Sequence, residues 1–219
     1  MNWDIVRDSL PLYGWAALLT LTIGVIGIVL SMIVGIVCAA VQHYRVPIAR
    51  QCVALYVELS RNTPLLVQLF FLYFGLPKIG ITWSSTTCAI IGLTFLGGAY
   101  MAEALRSGLD AVPVSQKENA LALGFTSTQT LRYIVLPQAF ATALPALSAN
   151  VIFLIKETSV FSIIALPDLV YVAKEQIGNT YNTQEALFLL VFYYLLILLP
   201  ISLAAGRLER RARYASLGV

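Results

Sequence analysis

SQKENALALGFTSTQTLRYIVLPQAF, Ser115 to Phe140, is a polar interruption between apolar runs. It reads as two short helices joined by a bend. Ser115 and Glu118 have the S-x-x-E spacing of a capping box, and Thr126 and Gln129 repeat it as T-x-x-Q. Gly124 stands where a helix ends, because glycine takes the left-handed conformation without a Cβ clash. Pro137 suits the opening of the next helix, where a missing N–H costs nothing.

On either side of this run the composition decides the class. Of 219 residues, 59% are hydrophobic and only 11% charged, against about 25% charged in soluble domains. Mean hydropathy is +0.82. The chain is an integral membrane protein with room for one transmembrane domain, residues 1–219. No G-x-x-x-x-G-K-[ST] run occurs, so any ATP must be bound by another chain. The net charge of +3 sits at loop ends and describes topology rather than a nucleic-acid surface. Cys38, Cys52 and Cys88 are scattered and read as small buried hydrophobes. With His43 the single histidine, no metal centre is expected. The start, Met1 to Pro11, lacks the basic n-region and short apolar core of a cleaved leader.

Five apolar stretches long enough for a bilayer of about 30 Å follow: approximately 13–41, 53–76, 85–104, 139–157 and 185–206. In the first, Gly24, Gly27, Ser31 and Gly35 recur at three- and four-residue intervals. They form a small-residue face suited either to packing within the subunit or to a dimer seam. The second carries Glu58 and Arg61, three residues apart on one helix face, then Asn62-Thr63-Pro64, where Pro64 predicts a kink or break. Arg61 would lie about 14 Å into the helix at 1.5 Å per residue. There a charge needs protein, water or a partner, so Arg61 either pairs with Glu58 or lines a path. Glu103 and Arg106 read as an ion pair near the membrane edge. The fourth stretch holds Asn150 and runs into Lys156-Glu157. These three could meet the carboxylate and ammonium of an amino acid, or Lys156 could snorkel while Glu157 caps. Residues 162–183 are too polar to span and read as an outer helix and loop.

Basic residues then orient the chain. Arg45, Arg50, Arg106, Lys117, Arg132 and the terminal Arg207, Arg210, Arg211 and Arg213 fall on one side of five spans. Arg7, Lys78 and Lys174 fall on the other. The positive-inside rule places the C-terminus in the cytoplasm and the N-terminus outside. Ser115–Phe140 is then cytoplasmic.

Several of these runs together resemble a known family. Glu118-Asn119-Ala120, three residues, Gly124, nine residues, then Ile134-Val135-Leu136-Pro137 is similar to the EAA loop of ABC importer permeases, with Asn119 in place of an alanine. Leu136-Pro137-Gln138-Ala139 resembles the polar-amino-acid branch, the histidine, glutamine and arginine permeases. Arg61-Asn62-Thr63-Pro64-Leu65-Leu66-Val67-Gln68 resembles its R-G-T-P-L-L-V-Q segment, and Lys156-Glu157-Thr158-Ser159 its K-[DE]-[ST]-S segment. The resemblance implies an all-α, five-helix type I importer fold with cytoplasmic coupling helices in the bacterial inner membrane. It implies that Glu118, Asn119, Ala120, Leu123 and Gly124 contact an ATPase subunit. ATP and magnesium are expected on that partner and no cofactor in this chain. It also implies a second permease subunit, identical or paralogous, an extracytoplasmic solute-binding protein and an amino-acid substrate. Lys156, Glu157, Asn150, Arg61 and Glu58 are the expected substrate-side residues. The alternative is an ion-coupled secondary transporter subunit, which would show broken helices in matched halves; no internal repeat is visible. An enzyme is not expected: G-x-S-x-G and H-E-x-x-H are both absent.

Overall fold

The computed structural model describes residues 1–44 and 46–217, and side chains through residue 212. Arg45 and the side chain of Arg213, both used above for orientation, lie outside what is described. Every regular element among the described residues is helical.

Helix α1, Trp3–His43, is 41 residues long, about 60 Å at 1.5 Å per residue. Asn2 caps it by accepting from the Asp4 N–H at 3.0 Å, and the Asn2 N–H donates to Glu185 Oε1 at 2.6 Å. Helix α2, Ala49–Arg61, ends at the Asn62-Thr63-Pro64 break. The chain resumes as α3, Leu65–Phe70, then a π-helical turn Phe71–Gly75 and a 3-10 turn Leu76–Ile79. Helix α4, Ser85–Asp110, is capped by Ser84, whose Oγ accepts from the Thr87 N–H at 3.2 Å.

Two short helices, α5 (Val114–Ala122) and α6 (Ser127–Thr130), make the bend. A π-helical turn, Leu131–Val135, carries α6 without a break into α7, Leu136–Glu157. Pro137 sits in the first turn of α7 as expected. A 3-10 stretch Thr158–Ile164 leads to α8 (Leu169–Thr180), and α9 (Thr183–Leu217) closes the described chain. Asp168 caps α8 by accepting from the Tyr171 N–H at 2.8 Å.

Among the described residues four helical rods are long and apolar enough to cross a membrane: Trp3–His43, Ser85–Asp110, Ser127–Ile164 and Thr183–Ala212. The second apolar stretch, 53–76, is the segment α2–α3 and its turns, broken at Asn62-Thr63-Pro64 as expected. The helix stops at Arg61, and Pro64, which has no N–H to donate and disfavours helical geometry in the residue before it, starts the next one.

The bundle is built around α1 against α4 and α4 against α7. The small face of α1 supplies the first contact. A Cβ at Gly27 would lie 2.5 Å from Leu93 Cδ2, and one at Gly35 2.5 Å from Met101 Cβ. Ser31 Oγ donates to the Leu93 carbonyl at 3.2 Å. Of the two readings of that face, packing within the subunit is the one observed. The central core joins Ile23, Leu65, Leu69, Leu93, Met101 and Leu154. Cys38 and Cys88 are buried, as expected; Cys52 is exposed, because α2 turns that face away from α4.

Candidate functional site: a rigid bend and a polar track

The bend is held at both ends of its turn. The Phe125 N–H donates to the Ala120 carbonyl at 3.1 Å and the Gly124 N–H to the Leu121 carbonyl at 3.0 Å. This pair of bonds is a Schellman motif. It requires the left-handed backbone that Gly124 adopts, φ +89°. Two residues on, Thr126 and Gln129 form the expected reciprocal capping box. Residues 120–129 thus contain a complete helix stop and a complete helix start, and the turn between α5 and α6 is held by both backbone and side-chain hydrogen bonds.

The other expected box is not formed. Helix α5 is capped at Pro113, with no side-chain cap. Ser115 is therefore already inside the first turn and cannot cap it. Proline's fixed φ starts the helix early.

The bend presents a definite face. Ala120 is buried, while Glu118 and Asn119 are exposed. Leu123 is 79% exposed, the most exposed leucine of the chain's described part, and Leu121 is half exposed. Apolar side chains are thus held out on a stiff polar turn, with the exposed Glu118 beside them.

The polar track runs along α4. Arg61 Nη1 lies 3.8 Å from Glu103 Oε2, and its guanidinium sits 5.5 Å from the centroid of the Tyr100 ring. Glu103 also pairs with Arg106, the ion pair expected from sequence. Arg106 reaches on to Asp110 at 2.8 Å. Asn150 Nδ2 donates to the Tyr100 carbonyl at 3.1 Å, and the Tyr100 and Phe153 rings lie 5.1 Å apart.

The expected substrate-side residues are therefore only partly gathered. Arg61 and Asn150 meet at Tyr100. The Arg61–Glu58 pairing is not present: Glu58 Oε2 accepts from Asn62 Nδ2 at 3.0 Å instead. Arg61, the last residue of α2, faces α4, and Glu58 is left to Asn62 at the end of its own helix. Lys156 is exposed and Glu157 half-buried at the far end of α7. Glu157 follows Asn150 by seven residues, so both lie on one face about 10 Å apart. Tyr100 was not visible as a participant from sequence, and Glu103 was read only with Arg106. The signal is the run Ala99-Tyr100-Met101-Ala102-Glu103-Ala104-Leu105-Arg106, which resembles the permeases' A-Y-x-A-E-x-x-R segment and sets an aromatic three residues before an acid.

Chemically the track offers a guanidinium, a carboxylate, an aromatic face and an amide at one level of the bundle. These suit a small solute carrying both charges. Among the described residues no three His, Cys, Asp or Glu side chains converge as a metal site.

Comparison with known proteins agrees with this architecture. The profile of the family described as "Binding-protein-dependent transport system inner membrane component" matches residues 27–214. The chain is 39% identical over 199 residues to the "Probable glutamine ABC transporter permease protein GlnP" of Bacillus subtilis (strain 168), covering 89% of this chain and 90% of that one. It is 31% identical over 214 residues to the "Glutamine transport system permease protein GlnP" of Escherichia coli (strain K12), covering 97% and 98%. Among solved structures, "Crystal structure of an amino acid ABC transporter with histidines" superposes with a TM-score of 0.89 at 29% identity, over 96% of this chain and 99% of that one. The inward-facing methionine ABC transporter MetNI shares the fold, with a TM-score of 0.72 at 21% identity. The chain is a multi-pass permease subunit with the ABC importer fold, and it belongs to the family of binding-protein-dependent transport system inner membrane components.

Proposed function

We propose that this chain forms the translocation path of an importer for polar amino acids, powered by ATPase subunits on separate chains. Two copies, or this chain and a paralogue, would enclose the path. A solute-binding protein would deliver substrate at the α8 end, and the N-terminus would face outside. ATP and magnesium belong to the ATPase partners; this chain contributes the surface that their motion acts upon.

The observation that carries this reading is the bend. Leu123 projects outward from a turn locked by the Gly124 Schellman motif and the Thr126 capping box. Such a turn transmits a push with little loss. Pushing α5 toward the membrane moves α6 and the rod continuous with it, and α7 carries Asn150, Lys156 and Glu157. Arg61 and Glu103 line the opposite wall. Relatives named as glutamine permeases support an amino-acid cargo.

Reconstitution of the chain with its ATPase and binding protein in liposomes tests the proposal. ATP-dependent uptake of an amino acid such as glutamine is expected, and it should disappear when the ATPase is omitted. Uptake that persists without ATP and follows a proton or sodium gradient would favour the ion-coupled alternative.

A further inference from the structure

Two cavities meet at the end of the bundle that carries the bend. One, of about 360 Å³, lies between α1, α4 and α7 and is walled by Ile36, Ala40, Leu105, Leu136 and Phe140. Its wall is almost wholly apolar, and Ile36 and Phe140 are each 54% exposed at its mouth. The other, of about 460 Å³, lies beside it and is lined by His43, Arg50, Arg106, Asp110 and Lys117. His43 and Leu109 belong to both, so the apolar groove opens directly into the basic chamber.

The charges in the chamber do not cancel. Asp110 is taken by Arg106, which also pairs with Glu103. Among the described residues neither Arg50 nor Lys117 has a carboxylate within 4 Å. Two free cations from different elements, α2 and α5, therefore face one space. Gln42 also lines it, and its Oε1 is buried without a hydrogen-bond partner.

We propose that the pair of cavities is a binding site for an anionic phospholipid, with an acyl chain in the groove and the phosphate between Arg50 and Lys117. A phospholipid carries its apolar chain and its phosphate one glycerol apart, the juxtaposition seen here. Basic pockets between membrane helices at the basic end of the bundle suit anionic headgroups. The unpaired charges of Arg50 and Lys117 favour phosphatidylglycerol, with its net negative headgroup, over zwitterionic phosphatidylcholine. A free anion would leave the groove unused, and a partner helix would need an acidic end aligned with an apolar flank. The lipid would tether the bend, through Lys117, to the α1–α2 end of the same subunit. The site requires only that the chain spans a membrane; it is independent of the substrate and of the ATPase docking proposed above.

Native mass spectrometry of the assembled transporter, released from nanodiscs containing equal phosphatidylglycerol and phosphatidylcholine, tests this. Wild type should retain phosphatidylglycerol preferentially. Arg50→Gln, at an exposed position, should lower that retention about five-fold, the effect of one basic contact at an anionic surface. Ala40→Phe should fill the groove and abolish retention while leaving Arg50 in place. Millimolar inorganic phosphate should not displace the lipid. Equal retention of both lipids, unchanged retention in both variants, displacement by phosphate, or a map of the complex with a protein segment in the groove would each overturn the proposal. The readout is lipid mass, so its failure leaves the transport reading untouched, and a failure of uptake leaves the lipid result standing.

Discussion

Arg61 Nη1 stands 3.8 Å from Glu103 Oε2, joining the end of α2 to the last third of α4. The same carboxylate pairs with Arg106, so one acid holds two guanidinium groups. All three side chains are partly exposed, about 30–40%, so the stabilisation is modest. Pairs of this exposure contribute at most about 1 kcal/mol each. Glu103→Gln should therefore shift the unfolding midpoint only slightly. Uptake should fall much further, because Arg61 is then left without a carboxylate partner while Arg106 keeps Asp110. Paired thermal unfolding and proteoliposome uptake check this; equal, small losses in both would make the network purely structural.

The Gly124 position separates a local effect from one exerted by a partner. A Cβ there meets nothing within 4 Å in this chain, yet φ is +89°. Gly124→Ala then costs only the left-handed backbone strain, about 1–2 kcal/mol. Gly124→Asn, which tolerates that conformation, should cost less. Gly124→Asp should fold comparably to Asn yet lose transport, since the added charge meets only the docking partner. If Gly124→Asp transports as Gly124→Asn does, the bend is not the docking surface.

How far the sequence could be read depended on how local each feature is. The Gly124 terminator and the Thr126–Gln129 box were legible because each is closed by residues within five positions. The Ser115–Glu118 box was misread because Pro113, two residues upstream, starts the helix first. Pro64 announced the break within 53–76, because a proline's effect on the backbone is local. Arg61 showed that a charge needed a partner. It could not show that the partner was Glu103 on another helix, because the rotation of α2 is set by its packing. There Tyr56 Oη and Ser60 Oγ both donate to the Phe95 carbonyl, at 2.7 and 2.9 Å.

The α1–α4 seam predicts a sharp size limit. A Cβ at Gly35 would lie 2.5 Å from Met101 Cβ and 3.0 Å from the backbone nitrogen of Ala102. The second neighbour is main chain and cannot rotate away. Gly35→Ala should destabilise by about 1–3 kcal/mol, the range for overpacking a tight core. Gly206→Ala, with nothing within 4 Å of its Cβ, should be neutral or slightly stabilising. Thermal unfolding of both in the same detergent makes the comparison. Equal midpoints would mean that the helices part freely and that the seam is not rigid.

Asp168 predicts a pH dependence of stability. It is fully buried between α8 and its neighbours. One carboxylate oxygen accepts from the Tyr171 N–H, while Oδ2 has no partner. Burial pushes its carboxyl up to about 7, against the opposing pull of backbone donors and Lys174. In the unfolded chain an aspartate titrates at about 3.9. Between those values the folded protein holds a proton that the unfolded chain has released, so raising the pH favours unfolding. The stabilising contribution is full below about pH 4. It declines by up to about 1.4 kcal/mol per pH unit as the pH rises toward 7, and is lost above the folded value. Asp168→Asn keeps an N-cap acceptor for α8 and removes the titration. The wild-type unfolding midpoint should fall between pH 5 and pH 7.5, and the variant's should fall less by the share that belongs to this group. Parallel midpoint curves for the two proteins would show that Asp168 is ionised throughout, with a counter-charge from a partner subunit or a bound cation at Oδ2.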